Sequence, residues 1–423
     1  MIESLDVILW DRKVGTLVSS KKGYRQQVCF YFDPEYVGNG PDISPLRCPL
    51  SGVAARKGLP VYPEEGRDFG GLPSFIADSL PDHWGNVVFL EWARANNIRS
   101  RDLSALDRLA YIGRRGMGAL EFVPPTSVSM ETPFRVEISE LASLAQMALD
   151  EARSFHTVMS PGLIMESLFK VGTSAGGRRP KAVINMNPET GECYSGQVPG
   201  PDPGFVPMII KFDEHTDIPS TRIEYSYHIM ALDAGLAMMP SRLIEGERET
   251  HFLTERFDRR GNRKLHVQTL AAMNPFSSSY EDLFDAAVKI SIVPGEIRQL
   301  FLQMVMNVVC GNVDDHNKNF SFIMDRDGVW HTSPAYDFTF TVDTSGPFYV
   351  NRHNMTVNGK SEYISRQDLM EIAARYGIKG ASGLIDRAAD AARSYRKYGT
   401  EAGVPDKWIA RIEDEIASRI DAL

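Results

Sequence analysis

Short bursts of β-branched and aromatic residues pattern the N-terminal part of the chain. LDVILW, GTLVSS and QQVCFYF are separated by Asp, Arg and Gly, as expected for successive strands. Leu80, Val87, Val88, Leu90 and Trp92 mark a helix-like stretch that starts around Pro81. SALDRLAYIGRRGMGALEF then predicts a short helix, a glycine-rich turn and a strand. Residues 123–134, VPPTSVSMETPF, are rich in Pro, Ser and Thr and predict a linker, so a first domain should end near residue 125.

Helical patterning follows over residues 136–170. Next, KAVINMN and ECYSGQV flank a turn from Pro188 to Gly191 and predict a hairpin, and FVPMIIKF predicts a further strand. A helix over residues 222–236 should close at Gly235, since glycine accepts the left-handed conformation on which helices end. SRLIEG and HFLTERF carry more strand signal. From residue 266 onward the period is mainly helical. Ile297, Leu300, Phe301, Met304, Val305, Val308 and Val309 repeat at helical spacing and define one buried face before Gly311. The expected class is α+β. A small β-rich N-terminal domain (1–125) precedes a β-rich lobe with one helix (126–265) and a helical lobe (266–423).

The 423 residues suit two or three domains at roughly 100–200 residues each, enough to bury a core without disulfides or metals. Cys29, Cys48, Cys193 and Cys310 are far apart and form no C-x-x-C pair. That argues against a zinc ribbon or a secreted disulfide scaffold and predicts reduced thiols in a cytoplasmic protein. No signal peptide is expected from MIESLDVILWDRKVGTL. No stretch reaches the ~18 apolar residues of a membrane span. A net charge of −9 disfavours direct binding to a phosphate backbone, so DNA contact is expected only through a partner.

Residues 311–340, GNVDDHNKNFSFIMDRDGVWHTSPAYDFTF, carry the densest chemistry. A polar loop follows the amphipathic helix. A hairpin with a turn at Asp327-Gly328 comes next, and its second strand leads into Tyr336-Asp337-Phe338. Phosphoryl transfer needs a carboxylate to orient the attacking hydroxyl and oxygen ligands to hold Mg²⁺ between the phosphates. Protein kinases place the base Asp five residues before a metal-binding Asn, with a second metal-binding Asp after a hairpin. Asp314, Asn319 and Asp337 have that spacing. Lys318 and His316 could neutralise charge on the transferred phosphate. The competing readings are a solvated loop of Asx turns and a metal-dependent hydrolase with Asp314, Asp315 and His316 as ligands.

VGTSAGGRRPKAVI, residues 171–184, is neither a Walker A motif nor a G-x-G-x-x-G. Its Thr173, Ser174, Gly176 and Gly177 form a turn whose N–H groups could approach phosphate, helped by Arg178, Arg179 and Lys181. An ordinary glycine turn is the alternative. Lys211 ends an apolar strand; it is either a snorkelling edge residue or a phosphate-binding lysine, with Glu224 as a candidate partner. The segment through Glu255-Arg256-Phe257 could serve as a hinge whose backbone reads an adenine edge.

These segments together resemble the HipA family of type II toxin–antitoxin serine/threonine kinases. The resemblance rests, in order, on SLPDHWGN, LDRLAYIGRRGMGALEF, GTSAGGRRPKA, IIKF, TERFDRR, VQTL, DDHNKNFSF and AYDF. It implies a small N-terminal domain on a two-lobed protein-kinase-like core, using ATP and Mg²⁺. By motif match, Lys211 contacts phosphate, Glu255 and Phe257 supply backbone contacts to adenine, and Gln268 and His316 line the nucleotide site. Asp314 is catalytic, with Asn319 and Asp337 on metal. The implied substrate is an aminoacyl-tRNA synthetase, and the implied partner a small helix-turn-helix antitoxin (HipB-like) that binds DNA. The family's autophosphorylated serine matches Thr173, with Ser174 beside it. Asp315 stands where the family's prototype has Gly, and its charge would either weaken phosphate approach or add a metal contact. The other functional class in view is a nucleotide-binding partner that strengthens an antitoxin's repression.

Overall fold

The structure is a computed structural model. It describes residues 2–22, 25–56, 58–64, 69–99, 103–126, 133–153, 177, 179–197, 204–214, 216–246, 249–341 and 352–423. Among these the chain is mixed α+β and divides into two units. The first comprises Met1–Glu214, Leu253–Gln268 and Met324–Val329; the second comprises His215–Phe252, Thr269–Ile323 and Trp330–Leu423. No helix of the described residues is long and apolar enough to cross a membrane.

The first unit opens with β1 (Ser4–Leu9), β2 (Arg12–Lys22) and β3 (Arg25–Phe32), where the apolar bursts place strands. With β4 (Leu120–Val123) they form an antiparallel sheet of order β3-β2-β1-β4. Leu5, Val7 and Leu9 alternate into the core. Trp10 and Asp11, at φ 49° and 65°, make the two-residue connection to β2, the positive-φ turn that matches strand twist. The helix His83–Ala95 buries Trp84, Val88, Phe89 and Trp92. Leu90 lies on the opposite face, half a turn from Val88, and is exposed. The helix Ala105–Ile112 starts at a capping box between Ser104 and Asp107.

β5 (Lys181–Met186), β6 (Cys193–Ser195) and β7 (Val206–Lys211) continue this unit. β5 lies between the other two, antiparallel to both, and is buried on both faces. The Nε1 of Trp84 donates to Lys181 O at 2.8 Å, which ties the N-terminal helix to β5. β8 (Ser241–Glu245) belongs to the second unit, and β9 (Thr250–Glu255) enters the first from Leu253 onward. A two-stranded ribbon, β10 (Arg259–Arg260) with β11 (Arg263–Lys264), and β12 (His266–Thr269) follow.

The second unit is mainly helical. Its helix Ser220–Asp233 ends just before Gly235, which takes φ +84°. The helix Pro294–Cys310 starts with Pro at its first position and ends at Gly311 in the left-handed conformation. The sequence predicts one apolar face for it. Leu300 through Cys310 are instead buried all round, because the helices Tyr280–Lys289, Ala381–Arg393 and Asp406–Asp421 pack on it. The hairpin β13 (Ser321–Met324) and β14 (Trp330–Thr332) lies where the sequence places it.

Candidate active site

The left-handed cap at Gly311 turns the chain out of a fully buried helix into the polar loop. Gly311 N and Asn312 N both donate to Asn307 O, the latter at 3.1 Å. Val313 is buried, Asp314 is exposed and Asp315 is fully buried. Adjacent carboxylates of identical type thus face opposite environments. The backbone N–H groups of Val313 and Asp314 both donate to Thr341 Oγ1, at 3.1 and 3.2 Å. The loop then folds back on itself: Asn319 Nδ2 donates to Asp314 O at 2.8 Å, and Asn319 N donates to His316 O at 2.9 Å. Engaging its amide nitrogen leaves the Asn319 side-chain oxygen as the atom a hard cation would take. The Nδ1 of His316 is buried without a hydrogen-bond partner, a condition that a bound ligand or water would relieve. Lys318 is exposed.

Asp315 turns away from the surface that Asp314 faces. Tyr280 OH donates to its Oδ2 at 2.7 Å, His353 Nδ1 to the same oxygen at 2.8 Å, and Asn354 N to Oδ1 at 2.8 Å. The carboxylate is turned inward and satisfied by these three donors. Burial, then the Asp315 charge, pushes the Tyr280 phenol well above its usual range and keeps it a donor. Asn307 Nδ2 donates to Tyr280 OH at 2.9 Å and closes the network under the loop. The hydrolase reading loses a ligand here. The described residues contain no group of three or more His, Cys, Asp or Glu able to hold a metal. Mg²⁺ on a nucleotide needs only one or two protein oxygens besides phosphate.

Asp337 lies in the same unit. Tyr336 OH donates to Lys318 O and accepts from Ser321 Oγ, both at 2.6 Å, linking this segment to the loop. On the other side, Phe338 packs on Tyr227 with ring centroids 5.3 Å apart, and Tyr227 OH donates to Cys310 O at 2.6 Å. Between these anchors Asp337 takes φ +50°, a left-handed conformation that is uncommon for non-glycine residues and that Asp enters more readily than most.

Of the remaining sequence candidates, Lys211, Glu255, Phe257 and Gln268 sit in the first unit. Lys211 ends β7, nearly buried, paired across the sheet with Lys181. Glu255 and Phe257 flank Arg256, whose N–H donates to Pro207 O at 2.9 Å. Gln268 is fully buried and neither its Nε2 nor its Oε1 has a hydrogen bond, so its amide is a site for a missing polar partner. Thr173, Ser174, Gly176 and Arg178 lie outside the described residues. Gly177, at φ +109°, donates to Asp82 Oδ2 at 3.0 Å and accepts from Trp84 N at 3.2 Å, so SLPDHWGN holds the end of the glycine-rich segment. Glu224 is buried on the helix Ser220–Asp233 of the second unit. Thr341, Tyr280, His353 and Asn354 support the loop and carry no motif of their own. Tyr280 opens the helix Tyr280–Lys289, and the other three lie outside helices and strands.

Two family comparisons cover most of the chain: residues 5–123 match the HipA N-terminal domain and residues 173–419 the HipA-like C-terminal domain. HipA of Shewanella oneidensis MR-1, solved as a toxin–antitoxin complex with HipB and operator DNA, aligns with TM-score 0.65 and 18% identity. That alignment covers 98% of this chain and 96% of that one, and the likeness is one of fold. The Helicobacter pylori proinflammatory kinase CtkA aligns over 52% of this chain and 88% of its own, at TM-score 0.36 and 12% identity. No curated protein sequence matches.

Proposed function

The chain belongs to the HipA family of toxin–antitoxin serine/threonine kinases, and on that premise we propose that it transfers the γ-phosphate of ATP to a Ser or Thr of a translation protein, an aminoacyl-tRNA synthetase being the leading substrate. Asp314 orients and deprotonates the attacking hydroxyl. Asn319 and Asp337 hold Mg²⁺, whose role when bound is to neutralise charge on the phosphates. His316 and Lys318 offset charge on the transferred group. Lys211 takes phosphate, and Glu255, Phe257 and Gln268 take the adenine end. Thr173, Ser174 and Gly176 belong to the phosphate loop, with Thr173 or Ser174 as the autophosphorylation site.

One observation carries the reading. Asp314 is the exposed carboxylate of a loop whose neighbours are buried, and Asn319 is latched to its carbonyl at 2.8 Å. The reading divides the chain at 1–125, 126–265 and 266–423. By analogy with the Shewanella complex, the partner is a HipB-like antitoxin, and DNA is reached through it. Labelled ATP with Mg²⁺ and a bacterial lysate, run beside Asp314→Gln, tests the assignment. Label that appears with the wild type and vanishes in the variant, while ATP binding persists, is the expected result. Undiminished transfer by Asp314→Gln would remove Asp314 from the role.

A further inference from the structure

The chain lays His353 and Asn354 against the catalytic loop, and buried Asp315 is what they meet. His353 N donates to Ser361 O at 2.9 Å, so the segment has its own local frame. His353 and the Asp315 side chain are almost wholly buried. Because a carboxylate only accepts, the 2.8 Å contact makes His353 Nδ1 the protonated nitrogen. Its Nε2 is then free to accept from Arg419 Nη1 at 3.4 Å, and Arg419 is itself paired with Glu415 at 2.7 Å. This assignment gives each ring nitrogen of His353 a partner.

Asn354 is the outer end of the same device. Its backbone N–H is held by Asp315 Oδ1 at 2.8 Å, while its side-chain Nδ2 donates to Val313 O at 2.9 Å. The same Nδ2 lies 3.4 Å from Asp314 Oδ1. That distance is long for a hydrogen bond, but contacts to a catalytic base commonly tighten when substrate is bound. The backbone of Asn354 is thus fixed from below by one aspartate while its amide points at the next. A residue that holds one oxygen of the base fixes the orientation of the carboxylate, and orientation of this kind contributes to rate rather than to binding.

We propose that Asn354 is a positioning residue for Asp314, and that the buried Asp315 carboxylate is the anchor that holds Asn354 in place. The role rests on the kinase reading above; the anchoring does not. It also gives a use for the aspartate that this chain carries after its base.

The test uses the full chain with Asn354→Ala and Asn354→Asp, because removing Asp315 itself risks unfolding the loop. Steady-state phosphate transfer, ATP affinity by calorimetry, and hydrogen exchange of the 313–319 segment are measured for each. In Asn354→Ala, kcat should fall about fivefold, the loss of one modest hydrogen bond to a charged group. KM for ATP should be unchanged, and exchange of the loop amides should be faster. Asn354→Asp keeps the shape but sets a carboxylate beside Asp314, so kcat should fall further. If loop exchange quickens but the wild type transfers no phosphate, the anchoring holds and the kinase reading fails. An unchanged kcat in both variants of an active enzyme, or unchanged loop exchange, overturns the proposal.

Discussion

Replacing Asp258 by Asn should be among the most damaging single changes to the stability of the first unit. Its carboxylate accepts from Arg256 Nε and Nη2 at 2.9 and 2.8 Å, from Arg259 Nη1 at 2.6 Å and from Gly118 N at 2.7 Å. The side chains of Asp258 and Arg256 are fully buried and that of Arg259 nearly so. Burial alone would raise the Asp258 carboxyl, but the two guanidinium groups overcome this and hold it well below the usual carboxylate range. Asn preserves the shape, loses the charge and turns an amide N–H toward a cation. The two buried guanidinium groups would then lose the carboxylate they share, and breaking a buried pair in this way costs about 3–5 kcal/mol. Urea unfolding followed by tryptophan fluorescence reports on this unit, which contains Trp10, Trp84 and Trp92. For a group with a depressed carboxyl, the stabilisation is complete above the unfolded value near ~4 and is lost as pH falls toward the folded one. The gap between wild type and variant should therefore stay constant from about pH 8 to 5 and narrow only in stronger acid. A cost below about 1 kcal/mol at neutral pH, or a gap that closes already near pH 6, would refute the reasoning.

Gly311→Ala should cost roughly 1–2 kcal/mol, because Gly311 sits at φ +69° and a Cβ there would meet Arg419 Nε at 3.1 Å; thermal unfolding measures it. Cys29, Cys48, Cys193 and Cys310 are all buried, and burial pushes the Cys48 thiol up to about 11, so a thiol reagent should label none of them until the chain unfolds. Burial lowers His228 and His266 to about 4. The unfolded chain binds protons first as pH drops below the ordinary value near ~6.5, so stability should decline between there and about 4. His228→Phe should flatten that slope in denaturant titrations run across the range.

The alternation in β1 and the hairpin of β5 with β6 were legible because they are local: period-two burial and turn residues act over a few positions. The left-handed ends at Gly235 and Gly311 followed from glycine alone. The helix Pro294–Cys310 was legible as a helix but not as a fully enclosed one. Its second buried face depends on helices that arrive ~70–110 residues later, and no period records their arrival. TERFDRR shows a different limit. Read along the chain, it is a possible hinge, and GRRGMGALEF is a separate turn and strand. In space they are one feature: Asp258 takes Gly118 N, and Arg259 donates to Gly116 O and Gly118 O, both at 3.1 Å.

The loop that follows Gly311 gives the sharpest case. Asp314 and Asp315 are identical in type and adjacent, and spacing to Asn319 selected the first without saying what the second does. The difference is burial, which is set by Tyr280, His353 and Asn354, partners 35 to 39 positions away. A motif of this kind therefore mixes two sorts of residue. Those left exposed are available for chemistry, and those turned inward must be satisfied by donors to be tolerated at all. Asp315 has three such donors. Among the described residues, one route by which that rigidity is passed outward runs through Asn354, whose backbone Asp315 holds and whose amide lies 3.4 Å from Asp314 Oδ1.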